Sequence, residues 1–225
     1  MSSIKVALVG SEAVGKTSLI NVYTKGENDF KKQYEPTIYD SAETRITMDG
    51  KFLQVNMLDT AGSDEYKQLR PMSYSGVDLF IICYSVIDLK SHDRVVECIK
   101  EVRQHAPNKE MVLVGTKIDL RDCQYTIDRL KMEGNLPLYQ SHGDLKAAEL
   151  SALKYFECSS KNPSSVKKMF DESIRLVLEK QEKIDFQQKI RRRSSPHSKI
   201  KRSSLFGISV SREDVLDKMN STLEL

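Results

Sequence analysis

The stretch Ile4–Ser18, IKVALVGSEAVGKTS, constrains the fold of this chain more than any other. Ile4, Val6, Ala7, Leu8 and Val9 make an apolar, β-favouring run. The chain then turns through Gly10, Ser11, Glu12, Ala13, Val14 and Gly15 and resumes with helical spacing at Lys16, Thr17 and Ser18. The pattern G-x-x-x-x-G-K-[ST] between a strand and a helix is a phosphate-binding loop. Its backbone N–H groups can wrap a polyphosphate, and the positive end of the following helix faces the same anion. In this pattern Lys16 neutralises the β and γ oxygens and the Thr17 hydroxyl sits on Mg²⁺.

Further along, strands and helices alternate. The helix opening at Lys16 runs to about Tyr23, followed by a polar stretch, Thr24 to Tyr39, with no clear period. Such a segment reads as a functional loop. Ala42–Met48 and Phe52–Leu58 read as strands joined by Asp49-Gly50, a strong hairpin signal. A second irregular segment covers Asp59 to Tyr74. Leu79–Val86 is continuously apolar, as a strand buried on both faces must be. A helix is expected over His92–His105, a strand over Met111–Val114, a polar insertion with room for a short helix over 121–137, and a helix over Leu145–Leu153. A sixth strand, Tyr155–Cys158, and a long amphipathic helix from about Val166 to Leu178 complete the body. The fold class implied is α/β, a six-stranded mixed sheet with helices on both faces and one antiparallel edge strand.

Charge divides the chain. Overall it carries 35 Lys+Arg and 32 Asp+Glu, but 11 of the bases and only 6 of the acids fall in 180–225. The folded body is therefore slightly acidic, which argues against a nucleic-acid-binding face. A body over 1–182 and a basic, largely disordered extension over 183–225 are the expected domains. Lys189–Arg202 has seven basic residues, no acids and interspersed serines, a composition that cannot bury a core. Three roles remain open for it: a solvated linker, a patch for an anionic membrane surface, or a nuclear import signal. The four cysteines, Cys83, Cys98, Cys123 and Cys158, are far apart and read as reduced thiols of a cytoplasmic protein. The histidines His92, His105, His142 and His197 show no metal-ligand spacing and read as surface or cap residues. Lys5 interrupts any signal-like start, and no apolar run reaches membrane-spanning length.

Two further motifs carry chemistry. Asp59-Thr60-Ala61-Gly62 ends a strand, where a carboxylate can hold the Mg²⁺ shell through water and Gly62 lets a backbone N–H approach a γ-phosphate. Thr116-Lys117-Ile118-Asp119 ends a later strand. The Asp119 carboxylate can accept hydrogen bonds from the N1–H and N2–H₂ edge of guanine, a donor pair adenine lacks, while the Lys117 stem covers the base.

With these motifs in this order, Ile4 to Leu178 resembles a small GTPase of the Ras superfamily, and more narrowly the Rho family. The narrowing residues are DEYKQLRPMSYSGVDLFIICYSV, YEPTIYD and the insertion after TKIDLRD, similar to the Rho insert helix. The resemblance implies GTP or GDP with Mg²⁺ as ligands. It also implies effector proteins and exchange factors as partners, through switch loops over 30–40 and 59–74, in signalling or actin cytoskeletal control. By position it implies that Phe30 packs on guanine, Tyr34 covers the phosphates and Thr37 coordinates Mg²⁺. ECSSK resembles the loop that closes the base site, with backbone contacts from Ser159 and Ser160 beside Lys161.

The chain departs from the family pattern in four places. Ser63 stands where a glutamine usually orients the attacking water. Glu12 replaces the usual third glycine of the phosphate loop. A carboxylate there, aimed at the γ-phosphate, meets repulsion on the order of 4 kcal/mol at ~4 Å and an effective dielectric near ~20, and it obstructs an arginine finger. The first switch is longer around 26–29, and no C-a-a-X prenylation motif closes the sequence. The first two departures resemble the hydrolysis-deficient Rnd-like branch of the Rho family. They imply a GTP-bound switch with impaired hydrolysis, which the tail could place at the inner face of a membrane. The alternatives are an ordinary cycling GTPase helped by an activating protein, and a different phosphate-loop enzyme such as a nucleotide kinase, against which TKID argues.

Overall fold

The apolar run at the start of the chain forms β1 (Ser2–Gly10), and its side chains alternate between two separate cores. Ile4, Val6 and Leu8 enter one; Ala7 and Val9 enter the other. A strand buried on both faces has to sit inside a sheet. The computed structural model, which describes residues 2–26, 37 and 39–194, places it there. The other strands are β2 (Tyr39–Met48), β3 (Lys51–Thr60), β4 (Leu79–Ser85), β5 (Glu110–Thr116) and β6 (Tyr155–Glu157). They form a six-stranded sheet in the order β2-β3-β1-β4-β5-β6.

All pairings are parallel except that of β2 with β3. These two are joined at Asp49 (φ 50°) and Gly50 (φ 74°), the paired positive angles that a tight hairpin turn requires. Leu8 lies opposite Asp59 and Ile81, Gly10 opposite Cys83, Ser85 opposite Thr116, and Gly115 opposite Glu157. This register brings the carboxyl ends of five strands to one edge, where open parallel sheets place their ligands.

The helices are α1 (Lys16–Lys25), α2 (Leu89–Asp93), α3 (Val95–His105), α4 (Gln124–Met132), α5 (Gln140–Glu149) and α6 (Pro163–Ser194). Leu19, Ile20 and Val22 of α1 share a core with Val166, Met169, Phe170 and Ile174 of α6. On the opposite sheet face Val95, Ile99 and Val102 of α3 and Ala147 of α5 pack with Phe80, Ile82 and Leu113.

Three helices differ from the sequence expectation. The single helix expected over His92–His105 begins earlier and is interrupted at Arg94. Asp88 caps its first turn by accepting from Ser91 N–H, and the Ser91 hydroxyl accepts from Ser85 N–H while donating to the Asp88 carbonyl. These local side-chain bonds hold a separate short turn. The helix expected over Leu145–Leu153 instead spans Gln140–Glu149. Its start is set by Tyr139 N–H donating to His142 Nδ1, a cap outside the usual Ser/Thr/Asp/Asn signal, and Ser151 at φ 52° stands just beyond its end. The last helix continues past Leu178 and Glu182 to Ser194, because no glycine or proline interrupts the sequence between Pro163 and Pro196.

The chain divides into two units, Met1–Leu178 and Glu179–Leu225. Within the second, residues 179–194 are helical and residues 179–191 exposed, with Ile184, Phe186 and Ile190 on the surface. All four cysteines are unpaired; Cys83, Cys98 and Cys158 are buried. His92 is not a surface residue: its side chain is 14% exposed and packs edge-on against Tyr84, 5.0 Å between ring centroids. Among the described residues no helix is long and apolar enough to cross a membrane.

Candidate functional site

The loop between β1 and α1 closes on itself through Lys16. Its ammonium is buried and donates to the carbonyls of Gly10 (2.9 Å) and Ser11 (2.8 Å). The loop backbone that permits this includes Ala13 at φ 56° and Gly15 at φ 105°, conformations that L side chains rarely adopt. Burial pushes the Lys16 pKa down, against the opposing pull of Asp59. A buried cation bonded to neutral carbonyls lacks the counter-charge that would make its burial favourable. The Ser11 hydroxyl beside it is buried with no hydrogen-bond partner among the described residues.

Asp59 comes from the end of β3, whose register with β1 sets it one strand away from the loop. It is 3% exposed, and burial pushes its pKa up, offset in part by the Thr17 hydroxyl and Lys16. Oδ2 accepts from Thr17 Oγ1 at 2.5 Å, whereas Oδ1 is buried without a partner among the described residues. Thr37 Oγ1 lies 3.1 Å from Thr17 Oγ1. Two hydroxyls and a carboxylate with an unsatisfied oxygen form an all-oxygen set, which suits a hard divalent cation such as Mg²⁺. The site thus gathers Lys16, Thr17, Thr37 and Asp59, as the sequence predicts; Phe30 and Tyr34 lie outside the described residues.

Gly62 packs directly on the phosphate loop. A Cβ on it would collide with the backbone of Ser11 and Glu12, so only glycine fits. The next residue, Ser63, caps a short 3₁₀ turn over Asp64–Tyr66, its hydroxyl accepting from Glu65 N–H at 3.4 Å. Glu12 is exposed and, among the described residues, makes no ion pair. It lies on the rim of a cleft of about 320 Å³ between the loop and α4, which Lys117, Arg129 and Glu133 also line. Ala13, Val14 and Ser18 stand in or just after the loop. Ala13 and Val14 present their carbonyls to side chains of the second motif.

That motif, at the end of β5, is tied to the loop in two ways. The Thr116 hydroxyl donates to the Val14 carbonyl at 2.6 Å, and Lys117 Nζ donates to the Ala13 carbonyl at 2.7 Å. Lys117 itself sits at φ 60°, which turns the chain sharply before Asp119. Asp119 is gripped on both oxygens: Ser159 Oγ donates to Oδ1 at 2.6 Å, and Lys161 Nζ lies 3.0 Å from Oδ2. Burial works against the Asp119 carboxylate, but the Ser159 hydroxyl and Lys161 outweigh it and hold its pKa below the ordinary value. Ser159 therefore contributes its side chain to Asp119, where the sequence suggests only a backbone contact. The Ser159 hydroxyl also accepts from Lys161 N–H, and Ser160 follows it, half-buried, in the same turn.

Two polar clusters behind the site escape a motif search. Arg70 is buried and donates through Nε and Nη2 to both oxygens of Glu101 (3.2 and 2.8 Å) and through Nη1 to the Ala61 carbonyl (3.1 Å). Tyr74 OH donates to the same carboxylate at 2.6 Å. Arg121 makes a second fork onto Glu157. Both pairs are far apart in sequence, but the second leaves a signal: opposite charges flank TKID and the two serines at fixed short offsets.

A loop of buried cation and backbone donors at strand ends, an oxygen set for a divalent ion, and a gripped carboxylate for a base together define a phosphate-loop nucleotide-binding domain. Comparison with known protein families matches residues 5–179 to the Ras family. The match covers most of the chain, which belongs to this family of small GTPases and is a GTP-binding switch. Members of the family bind guanine nucleotides, typically with Mg²⁺, and generally engage effectors and exchange factors.

Proposed function

We propose that this chain is a Rho-type switch that retains GTP, hydrolyses it slowly, and recruits effector proteins through residues 30–40 and 59–74. In this reading Asp119 accepts from the guanine N1–H and N2–H₂ groups, already aimed by Ser159 and Lys161. Lys16 exchanges loop carbonyls for phosphate oxygens, which relieves its buried charge. Thr17, Thr37 and, through water, Asp59 hold Mg²⁺, which when bound neutralises charge on the β and γ oxygens. The helix Gln124–Met132 within the insertion supports the narrower Rho reading, as does the segment DEYKQLRPMSYSGVDLFIICYSV. Control of the actin cytoskeleton follows from that subfamily alone.

The observation that carries slow hydrolysis is Ser63. Its oxygen is engaged by Glu65 N–H within its own turn, and a serine side chain is too short to reach across to an attacking water. Phosphoryl transfer in this fold depends on positioning and electrostatics rather than covalent chemistry, and orienting that water is part of the positioning. Glu12, exposed on the phosphate loop, adds a negative charge that would turn toward the γ-phosphate and narrow the approach for an arginine from a partner. Denaturing the purified protein and chromatographing its bound nucleotide tests the reading. Mostly GTP is expected; mostly GDP would instead mark an ordinary cycling GTPase.

A further inference from the structure

The two loops that flank the base site are bolted together by a part-buried fork. Arg121 stands two residues after Asp119, and Glu157 two residues before Ser159. Arg121 Nη1 donates to Glu157 Oε2 at 2.9 Å and Nη2 to Oε1 at 2.5 Å. Nε of the same guanidinium donates to the Leu138 carbonyl at 2.8 Å, where the insertion returns to the body. Both side chains of the pair are about 15% exposed, so the pair is little screened by solvent.

Glu157 is fixed from a second side. Tyr155 OH donates to Glu157 Oε1 at 2.8 Å, and Tyr84 OH donates to Tyr155 OH at 2.8 Å. The Tyr155 ring fills space that a Cβ on either Gly115 or Gly143 would occupy, and it stacks on Tyr84 with 12° between planes. Its hydroxyl therefore has one position. Both tyrosine hydroxyls and all three nitrogens of the Arg121 guanidinium donate within this relay, which holds the carboxylate of Glu157 and the fork of Arg121 against the sheet.

We infer that Arg121 and Glu157 are positioning residues for base selection: their fork fixes the spacing of the Asp119 loop against the Ser159 loop. This rests on the reading of Asp119 as the guanine-contacting carboxylate. Ser159 Oγ can aim Asp119 Oδ1 only while the two loops keep their separation, and the fork sets that separation at the roots of both. Neither residue needs to touch the nucleotide. Loosening the fork should blur the aim of Asp119 and weaken chiefly the contact to the guanine N2–H₂ group, while leaving the phosphate loop as it is.

Inosine diphosphate is the probe, because it keeps N1–H and lacks the 2-amino group. GDP and IDP affinities are measured for the wild type, Glu157→Gln, Arg121→Lys and their double variant, with Asp119→Asn as control and xanthosine diphosphate as its ligand. A lysine cannot reproduce the bidentate fork, and glutamine removes the charge at almost the same shape. The GDP-over-IDP preference is expected to fall roughly tenfold in either single variant, the scale of one hydrogen bond to a charged group, and no further in the double. IDP affinity should change far less. A merely structural role would lower both affinities together and leave their ratio unchanged. If Arg121→Lys fails to fold, the near-isosteric Glu157→Gln decides the question.

A wild type that prefers GDP, beside variants that keep the full preference, overturns the fork's role alone. A wild type that binds GDP and IDP alike, with an Asp119→Asn variant that gains nothing for xanthosine diphosphate, overturns the guanine reading and the fork with it.

Discussion

Asp59 and Lys16 are each placed where the folded chain disfavours their charge. Burial raises the Asp59 pKa from its ordinary value of 3.8, so the native state binds its proton more readily than the unfolded chain does. Stability without ligand therefore falls as pH rises from that value through the folded pKa. Burial lowers the Lys16 pKa, so its charged form is likewise disfavoured by folding. Such frustration is expected where a site is built for an absent counter-charge. Asp59→Asn should then raise the melting temperature at neutral pH in EDTA without nucleotide, by about 2–4 °C for a relief of ~1 kcal/mol. The gain should vanish as pH approaches 4, roughly the ordinary carboxyl value at which the wild-type group is protonated too. With GTP and Mg²⁺ the order should reverse, because the variant cannot complete the oxygen set. Differential scanning fluorimetry across pH reads all three; a variant less stable than wild type in EDTA at neutral pH would contradict the account.

At the scale of elements, the segment 59–74 is fastened to α3 by Arg70 and Glu101, at 6% and 9% exposure. Removing one partner of a buried pair strands the other's charge, at a cost of about 3–5 kcal/mol. Glu101→Ala should lower the urea midpoint accordingly, since Arg70 would keep only the Ala61 carbonyl and Tyr74 would lose its acceptor. Arg70→Met with Glu101→Leu should cost less than Glu101→Ala alone, because no unpaired group remains. Equal losses in the single and double variants would mean that the fork contributes little. The Arg70 fork could not be read from the sequence, because it joins residues more than thirty positions apart through tertiary packing alone, and that of Arg121 leaves only the charges flanking TKID and the two serines as a signal. The strands, the hairpin at Asp49-Gly50 and the grouping of Lys16, Thr17 and Asp59 were legible, because local pattern and the right-handed parallel topology leave few alternatives. The start of α5 was not, since His142 rather than a hydroxyl or carboxylate caps it. The continuation of α6 beyond Glu182 was not expected, because no apolar period marks it and only the absence of helix breakers allows it.

For the whole molecule, the basic surplus lies in the C-terminal unit, and membrane attachment through it is a proposal from charge. Seven basic residues over Lys189–Arg202 should bind anionic vesicles at ~1 kcal/mol each close to the surface and release at high salt. Phosphorylation at Ser194, Ser195, Ser203 or Ser204 should weaken the attachment. Sedimentation with phosphatidylserine vesicles, comparing full length with residues 1–188, should show binding by the first and little by the second; equal binding would refute it.

The central claim is that GTP is bound but hydrolysed slowly, for two separate reasons that meet at one place. In the proposed reading Ser63 leaves the water unpositioned and Glu12 brings negative charge toward the γ-phosphate. Groups acting on the same transition state do not contribute additively. Ser63→Gln alone should recover little hydrolysis because Glu12 still obstructs the site, and Glu12→Gly alone should recover little because nothing orients the water. The double variant should recover most of the rate typical of the family. Nucleotide affinity should change little throughout, since Lys16, Thr17, Lys117 and Asp119 are untouched. Single-turnover hydrolysis of preloaded GTP by these four proteins is the most direct measurement. A low rate in the wild type and both single variants with a high rate in the double is the predicted result; a wild type as fast as the double variant would contradict the account and mean that another residue positions the water.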